Sequence, residues 1–507
     1  MDLHELFERP LCKAEDLGRP LPDTIHSVSV AMPKWEHVVG YEEKRPEVMA
    51  QIKSAYPRFV VHPLVQQLAA QIAPGRVALP FPSARAARQC AEFIRRASGT
   101  STEIIPARGV HVVATTAAGE AALRSFWQHT GLIVSSRQAE ALLAGRTDAA
   151  EADAVRRSLR RQLAGFYDCA EDDVFLAPTG MGAIFAALCA VNQRTPEAPS
   201  VQLGFPYGDT LKLQQKLGTR GMFLHALETL AAELQGLLQR GALSACFCEV
   251  PGNPLLGTAD LRRISPLLRA QRVPLIADDT VSTPLNVDLS GQADLWTTSL
   301  TKFLSGTCNV MGGALICNPK SPLYPELKPI VQAQHEELLW GEDAAVVDAQ
   351  ALSFPARMKQ HNHNGLLLAE RLRRHPAIEH VWYPKWESSE AYDALRRPEG
   401  GWGALLTFVP KNAAATSPAI YDRLPVCKGP NLGTIFTLAC PFTLLAHFNE
   451  LDWAESCGVS RYLIRLSVGL EDPDQLWQRI SRCLDSAIGE SGARCSSERK
   501  DMKAAKS

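Results

Sequence analysis

The residues best suited to chemistry in this sequence centre on one lysine, Lys302. The segment TTSLTKFLSGTCNVMGG at 297–313 places it beside the hydroxyl groups of Ser299 and Thr301. Earlier in the chain, Asp278 ends the apolar run PLIAD, which is typical of a buried strand. A lysine can bind a carbonyl carbon covalently, a carboxylate can keep a pyridine nitrogen protonated, and hydroxyl groups can hold a phosphate. The set therefore predicts a site for pyridoxal phosphate (PLP).

A glycine-containing turn offers a place for the phosphate. The turn PTGMG at 178–182 follows the apolar run VFLA and precedes the helical run AIFAALCAV. Glycines there let backbone N–H groups approach an anion at a helix N-terminus. No Gly-Lys-Ser/Thr follows, so the turn is not a Walker loop. Taken alone it is an ordinary strand-to-helix turn, and it supports a phosphate site only together with Ser299, Thr301 and Lys302.

Two further residues follow strand candidates in the same region. Tyr207, in the turn FPYGDT, could stack on a planar ring, although a tyrosine in a turn is more often a packing residue. Asn253, in EVPGNPLL, follows the strand candidate ACFCEV. Doubly wound folds place their ligands at that edge of the sheet, yet an Asn before Pro also simply forms turns. Neither residue indicates a site without the others.

Composition and charge exclude several classes of protein. The 507 residues are 46% hydrophobic and 21% charged, as in ordinary globular proteins. A net charge of -1 gives no electrostatic reason to expect nucleic acid or an anionic membrane as a partner. The longest apolar run is too short to span a bilayer, and the first residues lack a signal-peptide core. Thirteen scattered cysteines without a CxxC pair favour reduced thiols, a cytoplasmic location and no metal site.

The sequence pattern divides the chain into four segments. We predict an N-terminal extension at 1–125, an α/β domain at 126–330, an α+β domain at 331–490 and a disordered tail at 491–507. Short apolar runs between helices predict a mostly parallel sheet covered on both faces, with strands at Val174 to Ala177, Val201 to Leu203, Ala245 to Val250, Leu275 to Ala277 and Ala314 to Cys317. The later strand candidates are His380 to Tyr383, Ala404 to Val409 and Leu463 to Val468.

Four segments, EVPGNPLL, ADDTVSTP, SLTKFLSGTCNVMGG and IRLSVGLEDPDQL, resemble the signature segments of the cystathionine γ-synthase family of PLP enzymes. They occur in the family's order over roughly 130–490. The earlier segments GRPLPDTIHSVSVAMPKWEHVVGYEE and YPRFVVHPLV resemble the longer fungal members of that family. The resemblance implies the fold type I of PLP-dependent transferases: a large α/β domain with a mainly parallel sheet, a smaller α+β C-terminal domain and an N-terminal extension.

The resemblance also implies a role for each matching residue. Lys302 would be the Schiff-base lysine that carries catalysis, and Asp278 would face the pyridinium nitrogen. Tyr207 would stack on the ring and take part in catalysis. The other cofactor contacts would be Gly180, Met181, Ser299 and Thr301 at the phosphate, Asn253 at the ring hydroxyl, and Arg137, in VSSR, at the phosphate of the neighbouring subunit. Arg465 would clamp the α-carboxylate of the substrate, a bidentate task that suits a guanidinium group.

The sequence departs from the family pattern at three places. Ser135 stands where a tyrosine is usual, two positions before Arg137, and Asp279 stands where an asparagine is usual. In the segment NLGTIFTLACP, Asn431 replaces a serine and Phe436 stands near the position of a glutamate. This loop faces the substrate side chain in the family. We therefore expect Asn431 and Phe436 to contact the substrate and to influence the choice of nucleophile.

The reaction that the resemblance implies is γ-replacement on an O-acyl-L-homoserine, with O-acetyl as the acyl group and L-cysteine as the nucleophile that gives cystathionine. Small amino acids would be the substrates, and a homodimer or homotetramer would be the active unit because Arg137 would act across the interface. Three alternatives stay open: a carbon or amine nucleophile in secondary-metabolite biosynthesis, a cystathionine lyase, and a non-catalytic PLP-fold binding protein. The presence of Lys302, Asp278 and Arg465 together argues against the last.

Overall fold

The N-terminal part of the chain contains a small antiparallel sheet that the sequence pattern did not predict. In the computed structural model, which describes residues 3–53 and 55–486, the strand Val110–Thr115 lies between Val77–Phe81 and Glu103–Ala107. The strand Glu103–Ala107 contains a proline and is half-buried, so it shows no clean apolar alternation. The helices of this part are Glu5–Glu8, Trp35–Glu42, Pro46–Met49, Pro63–Ile72, Ala84–Ser98, Glu120–Thr130 and Ser136–Leu143.

A seven-stranded sheet forms the large domain. Its strands lie in the order Val174–Ala177, Gly313–Cys317, Leu295–Ser299, Leu275–Asp278, Ala245–Glu249, Ser200–Leu203 and Gly221–Leu224. Gly313–Cys317 runs antiparallel to both neighbours, and the other pairs are parallel, so the predicted mainly parallel sheet is confirmed. Two strands were not predicted, because LWTTS is rich in polar residues and GMFL is a half-buried edge strand.

Helices flank this sheet or connect its strands. They are Ala152–Tyr167, Gly180–Arg194, Gly208–Leu217, Leu230–Arg240, Leu261–Ala270, Tyr324–Gln334 and Gly341–Ala351. The long helix Phe354–Arg374 follows and packs on the strands Ile378–Trp382 and Leu405–Pro410 of the C-terminal domain. Single 3₁₀ turns occur at Ala14–Asp16, Ala117–Gly119, Glu171–Asp173 and Phe448–Glu450. Because the parallel strands end at the same edge of the sheet, the loops that follow them meet there.

The C-terminal domain is built on a second sheet, which confirms the predicted α+β architecture. Its strands lie in the order Ile378–Trp382, Leu405–Pro410, Ile464–Ser467, Leu438–Cys440 and Cys427–Lys428, and only the last pair is parallel. Its helices are Ser389–Asp393, Ala413–Arg423, Phe442–His447, Leu451–Ser456 and one that begins at residue 473. The predicted disordered tail lies outside the described residues. Among the residues that the structure describes, no helix has the length and apolar character needed to cross a membrane.

Arg137 is hydrogen-bonded within its own chain. One nitrogen of its guanidinium donates to the carbonyl oxygen of Asn309 at 2.7 Å and to Oδ1 of Asp343 at 3.0 Å. Both charged side chains of this pair are nearly buried, with 11% and 3% of their surface exposed. The arginine therefore joins the helix Ser136–Leu143 to the helix Gly341–Ala351. Its contact with a neighbouring subunit stays a prediction.

We predict that Arg137→Met lowers the free energy of unfolding by about 3–5 kcal/mol, because it leaves the buried carboxylate of Asp343 without its partner. Urea unfolding followed by circular dichroism measures this loss. Arg95→Met is the control, since Arg95 pairs with Glu92 at the surface and no measurable change is expected there. An unfolding curve of Arg137→Met that matches the control would show that the ion pair does not stabilise the fold.

Candidate active site

A cavity of about 210 Å³ lies at the carboxyl edge of the parallel strands. The C-terminal domain and residues 56–59 complete its walls. Most of the predicted site residues line it, namely Gly180, Met181, Tyr207, Asn253, Asp278, Ser299, Lys302, Asn431 and Arg465. These residues are far apart in the sequence, so the fold brings them together as the motifs predicted.

Lys302 follows the strand Leu295–Ser299 and reaches the centre of this group. Its Nζ donates a hydrogen bond to Oδ1 of Asn431 and lies 4.6 Å from the centre of the Tyr56 ring. Burial lowers the pKa of the Lys302 ammonium below the usual lysine value. A lowered pKa increases the neutral fraction of the amine, which is the form that attacks a carbonyl carbon.

Asp278 and Asp279 point to different surroundings. Asp278 lines the cavity, and its Oδ1 accepts the backbone N–H of Thr280 at 2.8 Å. Asp279 is buried behind it and accepts the hydroxyl of Tyr167 at 2.9 Å. Burial raises the pKa of both carboxyl groups, that of Asp279 to about 7 with the help of the nearby Asp278 charge. Only Asp278 is therefore placed to face a ligand in the cavity.

The helix Gly180–Arg194 begins at the cavity, and its first turn comes very close to Ser299. A Cβ on Gly180 would lie 2.8 Å from the Cβ of Ser299, so this approach requires glycine. Thr179 caps the helix, because its hydroxyl accepts the N–H of Gly182 at 2.9 Å. The free N–H groups and the dipole at a helix N-terminus favour an anion such as phosphate.

Two predicted site residues lie outside the cavity. Thr301 is 1% exposed, and its hydroxyl bonds to the backbone of Gly312 instead. Phe436 is fully buried and packs in the hydrophobic core. Its ring therefore does not form part of the cavity wall, and we revise the expectation that it shapes a substrate pocket. Arg137 also lies outside the cavity lining, so the structure leaves three predicted residues away from the site: Thr301, Phe436 and Arg137.

Tyr56 and Arg58 line the cavity, and the sequence analysis gave them no role. They carry the spacing that was sought near Arg137, a tyrosine two positions before an arginine, within the segment YPRF. The spacing was therefore a signal that could have identified them. Burial alone would raise the pKa of the Tyr56 hydroxyl, but the cations of Lys302 and Arg58 outweigh it and the pKa is lowered.

Arg58 fixes the position of the Tyr207 side chain. Its guanidinium donates to the hydroxyl of Tyr207 at 2.6 Å and to Oδ2 of Asp209 at 2.7 Å. Gln128 donates its amide to the other oxygen of Asp209 at 3.0 Å. Burial would raise the pKa of Asp209, but Arg58 and these hydrogen bonds hold it well below its usual range. The pair of Arg58 and Asp209 is therefore ionised, and it joins residues 56–59 to the loop that carries Tyr207.

The opposite wall carries the second arginine of the site. Arg465 donates to Oδ1 of Asn253 at 3.2 Å and to the carbonyl oxygen of Asn431 at 2.8 Å. Its guanidinium carbon lies 4.8 Å from the centre of the Phe442 ring. Only 6% of Arg465 is exposed, so a carboxylate that reaches it is removed from bulk water. Charge-assisted hydrogen bonds are strong in such a place.

Comparison with known proteins identifies the family. The sequence model described as "Cys/Met metabolism PLP-dependent enzyme" matches residues 149–485, and "Fungal trans-sulfuration enzyme, N-terminal domain" matches residues 60–135. Cystathionine gamma-synthase of Neurospora crassa is 33% identical, with 93% of this chain and 98% of that protein covered. L-2-amino-4-chloropent-4-enoate dechlorinase/desaturase of Streptantibioticus cattleyicolor is also 33% identical, with 92% and 98% covered.

Solved structures agree with the fold. Cystathionine gamma synthase of Xanthomonas oryzae pv. oryzae, in complex with cystathionine, superposes with a TM-score of 0.58. The alignment covers 66% of this chain and 86% of that one, at 24% identity. At this identity the comparison supports the architecture of two domains and not the substrate.

The groups that line the cavity are suited to binding PLP. It combines a lysine amine of lowered pKa, the half-buried carboxyl group of Asp278 and a glycine-bounded helix N-terminus. These are the partners of an aldehyde, a ring nitrogen and a phosphate. The geometry, the family match and the relatives together show that the chain belongs to the Cys/Met metabolism family of PLP-dependent enzymes and is similar to cystathionine γ-synthases.

Proposed function

We propose that this enzyme catalyses γ-replacement on an O-acyl-L-homoserine, with O-acetyl as the acyl group and L-cysteine as the nucleophile, and so forms cystathionine. The single observation that carries the proposal is the convergence of Lys302, Asp278 and Arg465 on one cavity. The Neurospora crassa relative, a cystathionine gamma-synthase, supports the choice of reaction. The reaction takes place on small amino acids, which a cavity of about 210 Å³ can hold.

The side chains that line the cavity support a role for each cofactor contact. Bound PLP supplies the electron sink that lets the α-proton and the γ-substituent of an amino acid leave. Lys302 is the attachment point, and its amine then carries protons at the α- and β-carbons of the substrate. Asp278 would keep the ring nitrogen of bound PLP protonated, and Tyr207 would pack on the ring face. Gly180, Met181 and Ser299 would hold the phosphate, joined by Arg58, which we propose in place of Arg137.

Arg465 orients the amino-acid substrate. Its guanidinium binds the α-carboxylate, which is common to every amino acid, while Asn253 holds the guanidinium in place. Apolar side chains, among them Leu432 and Phe442, line the same cavity and exclude water from the reacting carbons.

A second candidate is the same substitution with a carbon or amine nucleophile in secondary metabolism. The Streptantibioticus cattleyicolor relative, which is 33% identical, is named for dechlorination of a chlorinated amino pentenoate, so a relative at this identity acts on a different leaving group. The serine-to-asparagine change at Asn431, in the cavity wall, makes a departure from cysteine chemistry reasonable. A lyase, in contrast, would release the γ-substituent of the amino-acid substrate without forming a new bond at its γ-carbon.

Mass spectrometry of reactions with O-acetyl-L-homoserine tests the proposal. L-cysteine, a carbon acid and an amine are offered separately, and Lys302→Ala provides the blank because it lacks the reactive amine. We expect acetate release and cystathionine formation only with L-cysteine. A product that forms with the carbon acid or the amine, but not with L-cysteine, would establish the second candidate. Release of an oxo acid and ammonia in the absence of any nucleophile would establish a lyase.

We predict that Asp278→Asn lowers kcat by about 10²–10³-fold while PLP stays bound, because a neutral amide cannot keep the ring nitrogen protonated. Steady-state rates and the visible absorbance of the purified protein measure the two effects. Asp279→Asn is the matched control, since its carboxyl group faces Tyr167 and not the cavity. A severe loss in the control together with a mild one in Asp278→Asn would reverse the assignment of the two aspartates.

We predict that Arg465→Lys weakens binding of O-acetyl-L-homoserine by about 1.5–3 kcal/mol, because lysine keeps the charge but loses the two parallel hydrogen bonds. KM for this substrate should rise equally with every nucleophile supplied. Arg461→Lys is the control, since Arg461 pairs with Asp452 and Glu455 near the surface. A rise in KM that depended on the nucleophile would place Arg465 in the site of the second substrate.

A further inference from the structure

Glu249 occupies the centre of the strand edge that carries the site. It ends the strand Ala245–Glu249, which lies between the strands Ser200–Leu203 and Leu275–Asp278. In the register of the sheet it is paired with Asp278. Glu249 also lines the cavity. None of the roles described above uses this carboxyl group.

Both oxygens of the Glu249 carboxyl group accept backbone hydrogen bonds, and the two donors belong to different loops. Oε1 accepts the N–H of Tyr207 at 2.5 Å, and Oε2 accepts the N–H of Asn253 at 3.1 Å. The first loop carries the aromatic ring that packs on the cofactor. The second carries the amide that holds Arg465 at 3.2 Å. One side chain therefore joins the cofactor contact to the substrate contact.

The chemistry of these bonds requires a carboxyl group at this position. Backbone N–H groups only donate, so both oxygens must accept. A glutamine would accept one N–H and place its own NH₂ donor against the other. Burial and the nearby Asp278 raise the pKa of Glu249 to about 8, while the two backbone hydrogen bonds act in the opposite direction. A carboxyl group is thus kept here although burial and a like charge oppose its ionisation.

We propose that Glu249 is a positioning residue that sets Tyr207 and Asn253 in register with each other, and so couples cofactor binding to recognition of the substrate α-carboxylate. It touches both loops directly and acts on Arg465 only through Asn253. The cofactor half of this inference rests on the PLP site, and the substrate half rests on the proposed function.

Glu249→Gln tests the inference, with Asp279→Asn as the matched control. Both changes turn a carboxyl group beside Asp278 into an amide of the same shape, but the carboxyl group of Asp279 faces Tyr167 instead of the two loops. We expect Glu249→Gln to raise the dissociation constant of PLP from the apoprotein about tenfold, the effect of losing one hydrogen bond to a backbone N–H. KM for O-acetyl-L-homoserine should rise severalfold. The control should leave both values close to those of the wild type.

A double-mutant cycle with Asn253→Ala separates positioning from a general loss of stability. If Glu249 acts on Arg465 through Asn253, the single variant Glu249→Gln should have a higher KM for O-acetyl-L-homoserine than the wild type. The same change added to Asn253→Ala should then alter KM little further. Thermal unfolding of each apoprotein shows whether the fold is retained. Equal effects on KM in both backgrounds would overturn the coupling, and an unchanged PLP affinity in Glu249→Gln would overturn the role at Tyr207.

Failure of the PLP site or of the proposed substrate can be told apart from failure of the role proposed for Glu249. Borohydride reduction and peptide mapping of the wild-type protein locate the lysine that holds PLP. Modification of a lysine other than Lys302 would refute the cofactor site itself. A normal PLP site with no turnover of O-acetyl-L-homoserine would refute only the proposed substrate, and the effect of Glu249→Gln on PLP affinity would still decide the cofactor half of the inference.

Discussion

The compensation of buried charge at the carboxyl edge of the sheet is the constraint on which the site depends. Glu249, Asp278 and Asp279 lie beside one another there, and burial raises the pKa of all three. A carboxylate in such surroundings is stable only when donors or cations face it. Lys302 provides positive charge near Asp278, two backbone N–H groups face Glu249, and the hydroxyl of Tyr167 faces Asp279. A cofactor with a cationic ring nitrogen adds to this balance at Asp278.

The N-terminal extension is an integral part of this arrangement. Its residues 27–33 run along the loop that carries Asn431: the N–H of Val28 bonds to the carbonyl oxygen of Cys308 at 2.9 Å, and that of Met32 to the carbonyl oxygen of Lys428 at 2.9 Å. Farther on, Arg58 reaches the Tyr207 hydroxyl. The extension thus holds both the loop that carries Asn431 and the aromatic side chain of Tyr207.

Local motifs predicted the residues that follow strands, because a strand end and its turn are encoded within a few positions. Lys302 and Asp278 were found in this way. Tyr56 and Arg58 were not assigned, since Lys302 and Tyr207, which they contact, lie far away in the chain, Tyr207 about 150 positions from Arg58, and the contacts depend on how the extension folds back. Phe436 was misjudged for another reason. It lies two residues before a strand, where a shift of one position turns a side chain from the cavity to the core.

Asn431 shows how a single departure from the family pattern can affect the chemistry. A serine hydroxyl both donates and accepts, whereas the asparagine amide divides these functions between two atoms. Here Oδ1 accepts from Lys302, and Nδ2 donates to the sulfur of Cys308 at 3.0 Å. The amide therefore acts on the amine that moves protons, and from its place in the cavity wall it can also meet the nucleophile. The rest of the wall shares in the selection between nucleophiles, and its Phe59, at 45% exposure, lies toward solvent.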